Sequence, residues 1–125
     1  MGVNEMKNIN QLAEHYLRFC ETQRGLSGHT IRNYSFDLAF FIKFLKENGH
    51  PLECNAVNRY VLESYLESMT RKYKVKTVRR KLACVRSFYA YLEDRELIEH
   101  NPFCKFRLKL KEGYRKPMSM SMIEM

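Results

Sequence analysis

Residues 71–91 read RKYKVKTVRRKLACVRSFYAY, with eight lysines and arginines and no acid before Glu93. Val78, Leu82, Val85, Tyr89 and Leu92 recur at i, i+4, i+7, i+11 and i+14, which makes one apolar stripe of an α-helix. Thr77, Arg80, Ala83, Ser87 and Ala90 project the other way, flanked by Lys76, Arg79 and Arg86. One face can therefore bury in a core while the other offers fixed cations and small polar groups. That outer face has two uses. A helix in the major groove of DNA needs cations for phosphates, forked arginines for base edges and small residues where backbones approach. The plainer reading is a solvated basic face on an ordinary core helix, because charge runs often serve only to solvate.

The rest of the chain narrows the choice. Its 125 residues suit one domain, and a composition 45% hydrophobic and 29% charged is that of a globular chain rather than a disordered one. The net charge of +8 is unevenly placed: residues 1–60 hold seven Lys/Arg against six Asp/Glu, and residues 61–125 hold fifteen against eight. Such asymmetry favours a polyanionic partner, nucleic acid before an anionic membrane. No apolar run approaches the roughly 18–20 residues of a membrane span, and the start MGVNEMKN lacks an apolar signal region. A cytoplasmic protein with no membrane partner is the expectation. Cys20, Cys54, Cys84 and Cys104 are far apart, without a CxxC pair, and His15, His29, His50 and His100 are scattered. No metal site and no cofactor are expected, and free cysteines packed as small core residues are favoured over a disulfide framework.

Periodicity predicts four helices. The first covers about Ile9 to Gln23, with Ile9, Leu12, Ala13, Tyr16, Phe19 and Cys20 on one stripe and Gly25 as its stop. The second follows Ser27, a good N-cap, and runs to about Asn48, where Gly49 and Pro51 end it. Ile31, Tyr34, Leu38, Phe41 and Leu45 form its stripe, widened by Phe40, Ile42 and Phe44 to the breadth of a central helix. The third runs from about Asn58 or Arg59 to Tyr73, and the basic helix from about Val75 to Arg95. Nothing alternates as a half-buried strand does, so the fold class is all-α. Beyond it, Asn101-Pro102 marks a turn. Phe106, Leu108 and Leu110 alternate with cations, as an extended linker or an edge strand would. Ser121 to Glu124 reads as the first turn of a further helix, as if the chain entered a second domain.

The order of these signals resembles the tyrosine recombinases, the phage integrases and Xer-type resolvases. Ser27-Gly-His-Thr30-Ile-Arg-Asn-Tyr34, then Asp37-Leu38 and Phe41 through Leu45, is similar to the family run LS-x-x-T-x-x-x-Y-x-x-D-L-x-x-F-x-x-F-L. TVRRKLACVRSFYAYL, residues 77–92, is similar to T-x-x-R-x-L-x-x-L-R-x-F-Y-x-Y-L, with Val85 in place of Leu. Asn101-Pro102 and Lys116-Pro117 stand where the family has an NP turn and an interdomain junction. The resemblance implies a SAM-like core-binding domain, a four- to five-helix bundle forming half of a clamp on duplex DNA. Residues 1–8 are then a tail, 9–104 the DNA-binding domain, and 105–125 the linker and the truncated start of a catalytic domain. Two helices, matching the second and fourth here, would face the major groove. The DNA-binding candidates are Thr30 and Arg32 on the second helix, and Lys76, Thr77, Arg79, Arg80, Arg86 and Ser87 on the fourth. Thr30, Thr77, Arg80 and Arg86 match the family motifs; Lys76, Arg79 and Ser87 come from the helical wheel. Thr30, in a first turn, suits a phosphate held by hydroxyl and free N–H groups. Tyr34 reads as a core or boundary residue.

The same resemblance implies that chemistry lies elsewhere. A tyrosine nucleophile needs converging Arg, His and Lys around the phosphate, which the family carries in its C-terminal domain. This chain has eight tyrosines, most on apolar stripes, and no such cluster. No catalytic residue is expected here, whereas a full-length parent would be an enzyme. The expected partners are DNA, the catalytic domain of the same parent chain, and further protomers assembled on DNA. A stand-alone helical module binding DNA or protein, without recombinase activity, is the alternative.

Overall fold

Three of the four helices among the described residues begin where a side chain satisfies amides that have no partner within the helix. The computed structural model describes residues 8–104 and Phe106, with helices α1 (Ile9–Thr22), α2 (Gly28–Glu47), α3 (Arg59–Thr70) and α4 (Val75–Asp94). Asn8 caps α1 by accepting from the Asn10 amide at 2.8 Å, and the Ser27 hydroxyl accepts from the Thr30 amide at 3.1 Å. Asn58 caps α3 through bonds from the Tyr60 and Val61 amides, both 3.0 Å. Only α4 starts without a side-chain cap. The C-terminal stops are as local. Gly49, at φ 73°, lets the His50 amide return to the Leu45 carbonyl and close α2. Glu96 takes the same left-handed conformation at the end of α4.

Short 3₁₀ turns at Cys54–Ala56 and Pro102–Cys104 complete the described structure. The Tyr89 hydroxyl, buried in α4, donates to the Cys54 carbonyl at 3.0 Å, a long-range bond that fixes the first of these turns. An isolated antiparallel bridge joins Asn8 to Glu53, and no strand occurs among the described residues. No helix there is long and apolar enough to cross a membrane.

The core is aromatic and centred on α4, which packs against α1, α2, α3 and the Pro102–Cys104 turn. The breadth of its apolar face suggested α2 as the central helix. In the structure α2 packs between α1 and α4, and Tyr65 of α3 meets Phe40, Phe41 and Phe44 along it. The more central position falls to α4, whose Val78, Leu82, Val85, Phe88, Tyr89 and Leu92 are all buried. At the other end of the bundle Tyr16 contacts Tyr34, Phe88 and Tyr91. Phe106, read from sequence as the start of a linker, is buried with its ring 5.6 Å from that of Phe103. The remainder of residues 105–125, with the predicted linker and second-domain entrance, lies outside the described residues.

All four cysteines are free; Cys20, Cys54 and Cys84 are buried and Cys104 is exposed. Burial pushes the Cys54 and Cys84 thiols up to about 12. Folding therefore favours their neutral forms. That contribution to stability is complete below the ordinary thiol value near 9 and is lost as pH rises from there toward 12. At about pH 8 a thiol reagent should label Cys104 of the native chain and spare the three buried thiols until urea unfolds it. Native-state labelling of Cys54 would contradict this packing.

Candidate nucleic-acid interface

The contact between α2 and α4 is held by charge in an apolar setting. Asp37 falls on the inward face of α2 and is 2% exposed. A carboxylate so placed must be paired, because burying it alone costs several kcal/mol. Two consecutive residues of α4 supply the partners. Arg80 donates from Nη1 to Asp37 Oδ2 at 2.8 Å, and Lys81 donates from Nζ to Oδ1 at 3.2 Å. Their surroundings differ. The Lys81 side chain is only 12% exposed, and its ammonium lies 4.2 Å from the centre of the Phe40 ring with Tyr73 on another side. The Arg80 side chain is 53% exposed, so it keeps an outer edge in solvent while Asp37 fixes the inner one. One acid and two bases leave the group with a surplus positive charge, and the solvent-facing part of it is Arg80.

Above this triad the two helices enclose a groove of about 240 Å³, lined by Thr30, Asn33, Tyr34 and Asp37 from α2 and by Arg80, Ala83, Cys84 and Ser87 from α4. Three of the eight residues singled out from sequence thus meet in one place: Thr30, Arg80 and Ser87. Small Ala83 and Ser87 keep the α4 wall low, which suits close approach of a flat ligand edge. Lys76 and Arg79 are exposed on the outer side of α4, and Thr77 is half-buried. Arg32 is exposed on α2, one turn before Phe36. Arg86 turns elsewhere: its guanidinium lies 5.0 Å above the Phe103 ring, at the edge of this surface. Thr30 also differs from expectation in one respect. Its amide is already bonded to Ser27 and its hydroxyl accepts from the Ser27 hydroxyl at 3.1 Å, so the cap competes for both.

Sequence reasoning missed Asp37 and Lys81 as a pair. The signal was present, since Asp37 interrupts the apolar run Tyr34, Leu38, Phe41, and an acid there demands a buried partner. Lys81 was hidden in a run of cations. Asn33 was missed as well. A second groove, of about 420 Å³ beside Glu93, Glu99, His100 and Arg59, lies on the α3 side and mixes both charges. Among the described residues no group of three or more His, Cys, Asp or Glu is placed to hold a metal ion.

Removing the acid leaves Lys81 buried without its counter-charge. Asp37→Asn should therefore destabilise the chain by about 3 kcal/mol in urea unfolding, and adding Lys81→Met should restore most of that loss. An Asp37→Asn chain as stable as the wild type would show that the pair contributes little.

The comparisons agree with this architecture. Residues 13–96 match the phage integrase, N-terminal SAM-like domain family. A tyrosine recombinase of Agathobacter rectalis is 38% identical over 107 residues, covering 86% of this chain and 34% of its own length. Tyrosine recombinase XerC of Lactobacillus delbrueckii subsp. bulgaricus is 33% identical over 84% of this chain and 35% of its own. Tyrosine recombinase XerD of Listeria monocytogenes is 27% identical over 93% of this chain and 40% of its own. The chain thus spans about a third of the length of these relatives. No solved structure matches it. A match over two thirds of the sequence, on an all-helical fold, means that the chain belongs to the phage integrase N-terminal SAM-like domain family.

Proposed function

We propose that this chain is the DNA-binding arm of a site-specific tyrosine recombinase, clamping duplex DNA at a recombination site through the α2–α4 face. The observation that carries this reading is the groove in which Asp37 holds Arg80 half-exposed beside Thr30, Asn33 and Ser87. A guanidinium fixed along one edge is pre-oriented, so it loses less freedom when its other edge meets a phosphate or a guanine. Exposed Lys76 and Arg79 would flank it with phosphate contacts, and Arg32 would reach the same duplex from α2. Strand cleavage would belong to the catalytic domain of the same parent chain, in the cytoplasm, with further protomers assembling on the DNA. Names of the relatives support recombination as the process, and the surplus of basic residues supports a polyanionic partner.

Affinity for duplex DNA, read by fluorescence anisotropy across a salt series, tests the proposal. Binding should weaken steeply with salt, and Lys76→Ala and Arg79→Ala should each reduce the slope by about 0.9. Arg86→Ala, with its side chain over Phe103, should change the slope less. No binding at low salt, or slopes indifferent to Lys76 and Arg79, would reject this surface and favour a protein-binding module.

A further inference from the structure

Phe36 has no place in the core. Its side chain is 63% exposed on α2, whereas the other seven phenylalanines of the chain are buried or half-buried. Among the described residues no aromatic ring or cation stacks on it. An exposed aromatic residue is by itself unremarkable on a protein surface. Its position is what carries the argument. Asn33, three residues earlier and so on the same side of α2, lines the α2–α4 groove. Arg32, four residues earlier, is exposed beside it, and Asp37, the next residue, anchors Arg80. Phe36 therefore lies one turn along α2 from a residue that lines the groove Arg80 enters, with exposed Arg32 on one side of it and half-buried Phe40 one turn further on.

We propose that Phe36 is a specificity-determining residue that reads thymine, by packing its ring against the C5-methyl group in the major groove. This rests on the reading of the α2–α4 face as the DNA surface. Lys76 and Arg79 there address phosphates, which carry no sequence information, and Arg80 can add at most a guanine. The thymine methyl is the apolar feature a base pair presents in the major groove, and it is the one an exposed phenylalanine can cover. Asn33 adds an amide of the kind that pairs with adenine N6 and N7, so the two side chains together suit an A·T-containing step. A protein partner would find a narrow apolar strip bordered by positive charge. Of the other large exposed rings, Tyr60 lies on α3, and Tyr73 packs edge-on against half-buried Phe40, one turn along α2 from Phe36; exposed Arg32 and Lys43 and the Lys81 ammonium over Phe40 set positive charge around that strip. Charge complementarity thus favours nucleic acid over a second copy of the chain.

The test begins with duplexes that the whole 125-residue chain selects from a random pool. Each thymine of a selected duplex is then replaced by uracil, which removes only the methyl group. Uracil at the contacted position should weaken wild-type binding roughly fourfold, the worth of one buried methyl. Phe36→Ala should bind the thymine and uracil duplexes equally while keeping the wild-type salt slope, and Phe36→Leu should retain part of the preference. The inference fails if uracil is tolerated at every position, or if the preference for thymine survives in Phe36→Ala. It also fails if the free chain forms a concentration-dependent dimer that Phe36→Ala abolishes, which would assign the ring to a second copy. Selection of no duplex at all would overturn the DNA reading of the surface, and this inference with it.

Discussion

A carboxylate buried between two helices sets the terms for much of this molecule. Asp37 cannot sit 2% exposed on α2 unless α4 brings cations to it, and α4 brings two in succession. The pairing constrains both helices at once, in axial position and in rotation, which non-directional apolar packing does less sharply. It also divides labour between neighbours. Lys81 is drawn inward against Phe40 and Tyr73 and serves as counter-charge, while Arg80 keeps half its surface in water. A buried ion pair is weak evidence for stability, since desolvation offsets most of the attraction. Its value here lies in register and in orienting a surface guanidinium.

The helix that meets this constraint is also the hub of the core. Val78, Leu82, Val85, Phe88, Tyr89 and Leu92 of α4 bury one side, and the other presents Lys76, Arg79, Ala83 and Ser87. Placing the proposed recognition surface on the back of the best-packed element makes that surface rigid. Preorganised contacts lose less entropy on binding than contacts borne by loops. One turn along α2 from Asn33, Phe36 leaves apolar area in water that a base methyl could cover.

Helix positions were legible to within a few residues because their signals are local. Ser27 and Asn58 bond to amides two or three residues ahead, and Gly49 supplies the left-handed residue that closes α2. Features that depend on distant residues were not legible. The Cys54–Ala56 turn takes a hydrogen bond from Tyr89, 35 residues away, and nothing near Cys54 announces it. Lys81 reads as one more cation of a basic run until Asp37 is seen opposite. Phe106 looks like linker until Phe103 is seen beneath it. At the candidate site, periodicity brought Arg80 and Ser87 to one side of α4. It could not separate Arg86, whose guanidinium is turned onto Phe103 by the chain beyond the helix.

The central claim is that the α2–α4 groove is the surface that meets DNA. Amide chemical-shift changes in the isotope-labelled chain, followed as a duplex is added at low salt, test it most directly. The account predicts changes concentrated at Asn33, Phe36, Arg80, Ala83 and Ser87, with the α3 face quiet. Changes concentrated instead around Arg59, Glu99 and His100, the lining of the second groove, would contradict it.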